Sequence, residues 1–253
     1  MKENMNDSIN KFSDKAKDYA KYRLDYSVEI LQFLNDYNFC INSVIADVGS
    51  GTGKLTKIFL ENGNTVYAVE PNDNMRNMAN SLLNGFKNFI SINGSAENTT
   101  LQSGIIDFVV VGQAFHWFDA PKALNEFKRI LKKNGLLVLI WYSRKTDTPF
   151  WNEYENILKS NISDYKGNIH RNYSDEIIED FFLMDYKKIK FEKNRELTFT
   201  ELLGSFSSSS YSPKEGTQEY NDIYKLLDKI FNDYKTNDKI LCNYETEIYI
   251  GRL

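Results

Sequence analysis

The sequence predicts an α/β fold, and three observations carry that prediction. From Val44 onward, apolar runs that read as strands alternate with stretches of helical periodicity. Glycine, proline or asparagine punctuates most of the boundaries. The run 136–141 has no polar face, as expected of a parallel strand covered on both sides. Such alternation calls for a parallel sheet joined by right-handed crossovers. Ligands on such sheets sit at the C-terminal ends of the strands, near the switch in strand order.

Residues 1–11 are polar. The series Phe12, Ala16, Tyr19, Ala20, Arg23 steps by three and four, which suits a helix. A second helix over 28–37 places Val28, Leu31 and Leu34 on one face, so 9–37 reads as an N-terminal helical cap. Strand one, 44–48, leads into a glycine turn, and the helix 54–62 ends at Gly63, a fitting C-cap. Strand two, 65–70, stops at Pro71, and helix 73–83 ends before Gly85. Strand three is 89–92; strand four, 107–111, is bracketed by Gly104 and Gly112; helix 120–132 ends at Asn134-Gly135; strand five is 136–141.

The second half departs from this rhythm. An amphipathic helix with Phe150, Tyr154, Ile157 and Leu158 precedes a polar link at Lys166-Gly167-Asn168. Strand six is expected over 186–192, a helical pattern over 198–203, a further helix over 215–234 and a last strand over 241–250. The serine run 205–213 reads on composition alone as a flexible linker. The long segments 142–182 and 198–238 are candidate lid insertions on one domain spanning 1–253. That length suits one α/β domain with additions and is short for two.

Composition narrows the partners. Thirty-one basic against 35 acidic residues leave a net charge of −4, and no basic run of five or more suggests a nucleic-acid backbone as ligand. Cys40 and Cys242 lie far apart without metal-like spacing, so no metal is expected and two free thiols suit a reducing compartment. The N-terminus is polar and no stretch approaches the ~18 apolar residues of a membrane span. The expectation is a cytoplasmic protein with neither membrane nor nucleic-acid partner. The sequence leaves its oligomeric state open.

The chemistry concentrates at Asp47-Val-Gly-Ser-Gly-Thr-Gly53. Three alternate glycines remove three Cβ atoms, so the backbone can turn sharply and a ligand can lie against it. A helix starting there adds unpaired N–H groups and a partial positive charge. A phosphate-binding P-loop fails, because Val48 and Leu55 stand where it needs Gly and Ser or Thr. The dinucleotide fingerprint also fails, since the glycines are spaced as Gly49-x-Gly51-x-Gly53. Glu70 ends strand two about 20 residues past Gly49, where an acid can accept both hydroxyls of a ribose. A ribose-bearing ligand with this glycine spacing tilts the choice toward S-adenosylmethionine.

Asp47 to Gly53 with Glu70 resembles the first two motifs of the class I S-adenosylmethionine-dependent methyltransferases. Gly94-Ser-Ala-Glu97 and Gln113-Ala-Phe-His-Trp-Phe118 resemble the later ones. The pattern is similar to the small-molecule branch, methyltransferase type 11, related to trans-aconitate methyltransferase and the ubiquinone/menaquinone-type enzymes. The resemblance implies a Rossmann-like, seven-stranded, mostly parallel sheet with helices on both faces and an antiparallel last strand. It implies S-adenosylmethionine as methyl donor, with the main chain of Gly49, Ser50 and Gly51 toward the methionine part and Asp47 either ordering the loop or meeting the methionine amine through water. Glu70 would meet the ribose, Asn72 the ribose or the adenine edge, Ser95, Ala96 and Glu97 the adenine, and Gln113 the methionine part; Glu97 also reads as a helix N-terminal acid. Tyr19, Tyr22 and Arg23 would cap the pocket, or the tyrosines merely pack. Trp117, Ser209 and Tyr211 join Tyr22 as candidate acceptor contacts, which gives the serine run a second reading as a pocket wall.

His116, one of two histidines, either removes a proton from the acceptor or braces its loop; His170 reads as a surface residue. The acceptor implied is a small organic molecule, with carboxylate or hydroxyl preferred over carbon. Two rivals stand. One is a non-catalytic S-adenosylmethionine-binding module. The other is a dinucleotide-dependent oxidoreductase, for which Tyr186 and Lys190 match a Tyr-x-x-x-Lys spacing inside a lysine-rich strand.

Overall fold

The computed structural model describes residues 15–163, 165, 167, 178–179, 181–182 and 185–253. A seven-stranded sheet runs in the order β3-β2-β1-β4-β5-β7-β6. Its strands are β1 (Val44–Val48), β2 (Thr65–Val69), β3 (Phe89–Ile92), β4 (Ile106–Gly112), β5 (Leu131–Arg144), β6 (Tyr186–Leu197) and β7 (Ile240–Gly251). The first five pair in parallel, and β7 runs antiparallel to both β5 and β6. The sheet is Rossmann-like, as expected. Chain order reverses at β1, flanked by β2 and β4, so the crevice between β1 and β4 is the switch point where ligands collect.

Strand alternation splits the apolar residues into two cores, one on each face. Ile45, Phe108, Val110, Val138 and Ile140 face a cluster with α2 (Glu29–Asn35) and α3 (Lys54–Glu61). Their neighbours Ala46, Val109, Val111, Leu137 and Leu139 face another with α5 (Ala120–Ile130). Helix α4 (Asp73–Leu83) starts at Asn72, whose side chain accepts the Met75 N–H. The cap helix is described as α1 (Ala16–Tyr22); Phe12 and His170 lie outside the described residues.

A third core belongs to the second half. Helices α6 (Pro149–Asn161), α7 (Phe199–Ser207) and α8 (Gln218–Tyr234) bury Trp151, Leu158, Phe206, Ile223 and Leu227 together against the far ends of β6 and β7. Helix α6 thus packs on α7 and α8. A capping box fixes the start of α7: Thr198 accepts the Glu201 N–H, and Glu201 returns the bond to the Thr198 N–H.

Three expectations need correcting. Helix α5 stops at Ile130, and Leu131 already pairs with Ile106 before a register shift, so β5 begins earlier than 136. Strand β6 continues past 192 to Leu197, because β7 offers it a partner along that whole length. The serine run is not a loose linker. Its first part completes α7, Ser208, Ser209 and Ser212 are buried, and the Ser208 and Ser209 hydroxyls donate to the Ser205 carbonyl at 2.8 and 3.1 Å. Composition misled there because hydroxyls can satisfy each other's backbone inside a fold.

Candidate active site

The turn after β1 uses its glycines differently. Gly49, Gly51 and Gly53 all have positive φ (+72°, +57° and +84°), a region L side chains avoid. A Cβ on Gly49 would meet that of Ala114 at 2.6 Å, and one on Gly53 would meet Leu83 at 2.5 Å. One on Gly51 would meet nothing within 4 Å. Packing therefore demands the first and third glycines, whereas the middle one keeps space clear. The Gly49 and Ser50 N–H groups donate to the Val69 carbonyl at 2.9 and 3.1 Å, tying the turn to the end of β2.

Glu70 is buried beside that turn. One of its oxygens accepts the Gly51 N–H at 2.9 Å and the other accepts the Asn72 N–H at 2.8 Å. Burial raises its carboxyl above the usual range, against the pull of those N–H groups and of Arg76. An ionised carboxylate offers roughly four acceptor sites, so two N–H bonds leave room for ligand hydroxyls. Asp47 accepts the Thr56 hydroxyl at 2.6 Å, and burial pushes its carboxyl up to about 7. It braces the turn from within and does not line the cavity outside it. Ser50 also stays out of the lining, and its hydroxyl is buried without a partner among the described residues.

That cavity is lined by Gly49, Gly51, Glu70 and Asn72 on one side and by Ser95, Ala96 and Glu97 on another. Gln113, Tyr19 and Trp117 close it, with Met75, Ala114 and Phe118 adding apolar surface. Glu97 accepts the Asp119 N–H at 2.8 Å and so ties the wall after β3 to the loop after β4. S-adenosylmethionine fits these residues on the chain's own features. Gly51 leaves open space at a main-chain bend, Glu70 retains acceptor capacity, and the apolar walls suit a purine.

A second cavity adjoins the first, and Tyr19, Gln113 and Trp117 line both. Gln113 holds a left-handed backbone (φ +55°), rare for a residue with a side chain. Two bonds fix it there: its N–H donates to the Ile140 carbonyl at 2.9 Å and its Nε2 to the Tyr142 carbonyl at 2.5 Å. Strain of this sort concentrates at functional sites.

The second cavity is also lined by His116, Ser209 and Tyr211. Arg23 belongs to this cavity and not to the first. Tyr22 lines neither, packing instead so tightly on α7 that a Cβ on Gly204 would fall 2.2 Å from its ring. Sequence reasoning missed Tyr142, Arg144, Tyr154, Tyr165 and Tyr244. A signal existed for the first two, which sit at the C-terminal end of β5. Burial, the largest cause for each, raises the hydroxyls of Tyr142, Tyr154, Tyr165 and Tyr244, so they stay protonated. His116 lies tilted against Trp117, with ring centres 4.9 Å apart. Lys190, the rival pair's lysine, bonds Glu245 and Glu247 on β7 and lines neither cavity.

Comparison with known proteins agrees with this geometry. Residues 46–139 match the model of a methyltransferase domain. An uncharacterized methyltransferase of Schizosaccharomyces pombe is 30% identical over 243 residues, covering 91% of this chain and 93% of its own. A second S. pombe protein, an uncharacterized methyltransferase-like one, is 29% identical over 241 residues, covering 93% of this chain and 92% of its own. A protein from Anaeromyxobacter dehalogenans, provisionally described as a type II methyltransferase, shares the fold with a TM-score of 0.61 at 18% identity, over 91% of this chain and 98% of that one. The glycine turn, the acid after β2 and these relatives converge: the chain belongs to the class I S-adenosylmethionine-dependent methyltransferases, with S-adenosylmethionine as its methyl donor.

Proposed function

We propose that the enzyme methylates an oxygen of a small organic acceptor held in the second cavity, a carboxylate first and a hydroxyl second. The observation that carries this reading is the wall shared by the two cavities: Tyr19, Gln113 and Trp117 face both. S-adenosylmethionine supplies an electrophilic methyl on a sulfonium that is its own leaving group. What remains for the chain is to hold the nucleophile in line and to exclude water. Alignment can contribute roughly 7–11 kcal/mol. A general base adds about 10²–10⁴-fold, so positioning dominates.

In this reading Glu70 holds the ribose, the Gly49–Gly51 main chain the methionine part, and Ser95, Ala96 and Glu97 the adenine. Among the described residues that line the second cavity there is no Asp, Glu or Lys, and the buried tyrosines are protonated. A carboxylate acceptor needs no base, which favours it over hydroxyl and, further behind, carbon. His116 then braces the loop after β4. The test is methyl release from labelled S-adenosylmethionine across a panel of small carboxylic acids and phenols. Turnover of an acid supports the reading. Binding of the cofactor with no transfer to any member would instead favour a non-catalytic binding module.

A further inference from the structure

We propose that Arg23 grips the acceptor's carboxylate, so that the enzyme admits its acceptor as an anion and releases it as a neutral methyl ester. This rests on the reading of the second cavity as the acceptor site. Two guanidinium groups line that cavity, and they differ in one respect. Arg144 has its counter-ion: it bonds Glu155 at 2.5 Å, Tyr165 donates to the same carboxylate at 2.9 Å, and the guanidinium lies 4.6 and 4.4 Å from the Trp151 and Tyr154 rings. Arg23 pairs with no carboxylate among the described residues. Its Nε and Nη2 donate to the Ser208 and Ser209 hydroxyls at 3.1 and 3.0 Å, and it lies 5.3 Å from the Tyr19 ring. Arg23 is half-buried at the cavity wall with only neutral partners, an arrangement that an arriving anion would complete.

The group is also pre-oriented. The protons of both serine hydroxyls are committed to the Ser205 carbonyl, so their lone pairs point back and fix the guanidinium. An arginine has five N–H donors in a planar fork suited to two carboxylate oxygens, and the serines engage only part of it. Arg23 also stands beside Tyr19, which borders the donor's cavity, so the anion it holds lies near the junction. In the transfer, the oxygen–methyl bond forms as the sulfur–methyl bond breaks, and the electron pair of that bond stays on sulfur. The carboxylate's negative charge and the sulfonium's positive charge disappear together, and no proton moves. The ester therefore loses the attraction that held the acid.

The test is titration calorimetry on the full chain saturated with S-adenosylhomocysteine, using acetate, benzoate and inorganic phosphate beside acetamide and benzamide. In the wild type, at least one carboxylate should bind about tenfold or more tighter than its amide, as a charge-assisted bond predicts. Arg23→Gln should erase that difference, Arg23→Lys should keep part of it, and S-adenosylhomocysteine affinity should be unchanged in both. Retained cofactor binding also certifies that a variant is folded. Should Arg23→Gln fail to fold, Ser208→Ala with Ser209→Ala keeps the charge but frees the fork, and should weaken the carboxylate severalfold. Amides binding as well as acids, phosphate alone binding, no panel member binding, or variants that bind acids like the wild type would each overturn the assignment. Absence of S-adenosylhomocysteine binding in the wild type would instead overturn the reading of the first cavity.

Discussion

The two cavities meet at three residues yet are built in opposite ways. The first cavity is local in sequence apart from Tyr19: a turn after β1, an acid after β2 and short loops after β3 and β4, all at neighbouring strand ends. The second gathers α1, the end of β5, α6, the serine segment and β7, which are far apart in the chain. The first is held by main-chain hydrogen bonds to buried carboxylates; the second by aromatic packing, two guanidinium groups and hydroxyls. A site made from backbone tolerates few changes, whereas one made from side chains on a separate helical core can vary in what it accepts.

Substitutions can break or sharpen that contrast, beginning with the largest effect. Gly49→Val should damage fold and binding together, because a β-branched side chain would be left-handed and would collide with Ala114 and Phe118. Strain of about 1–2 kcal/mol and overpacking of roughly 1–3 kcal/mol should show as a lowered urea midpoint. Glu70→Ala removes the acceptor for the Gly51 and Asn72 N–H groups; it should cost roughly 1.5–3 kcal/mol of cofactor affinity by calorimetry, with acid binding in the second cavity unaffected.

Asp47 offers a pH signature. Its folded carboxyl sits at about 7, above the unfolded value, so the folded state binds the extra proton. Its contribution is fully present at acid pH and is lost as pH rises toward 7, by up to about 1.4 kcal/mol per pH unit. Urea melts of the ligand-free protein between pH 5 and 7 should therefore fall more steeply for the wild type than for Asp47→Asn. The smallest effect belongs to His116→Asn, which should lower turnover less than about tenfold; a loss in the general-base range of about 10²–10⁴ would make the imidazole catalytic.

That same contrast explains what was legible in advance. Strand alternation and the fully apolar β5 announced the sheet, and Gly49, Gly51 and Glu70 stood out as a turn and an acid that the fold places at one cavity, because each acts through its own stretch of backbone. Tyr22 ends α1 and Arg23 follows it in extended backbone; one packs on Gly204 and the other lines the second cavity. Periodicity could set them on different faces but not say what each face meets, since the partner surface, α7 and its serines, lies far downstream. Tyr244 escaped notice for a similar reason: only the antiparallel pairing of β5 with β7 brings it opposite Arg144. The serine run misled because its hydroxyls bond within the fold, which composition does not record.

The most direct test of the central claim compares S-adenosylhomocysteine binding by the wild type and Gly51→Ala, with thermal melts alongside. Nothing lies within 4 Å of a Cβ at Gly51, so the added methyl enters space that the proposed reading gives to the cofactor. The account predicts a modest stability loss of about 1–2 kcal/mol from the left-handed backbone, with cofactor affinity falling about tenfold or more. Equal affinity in the two proteins would contradict it and place the donor elsewhere.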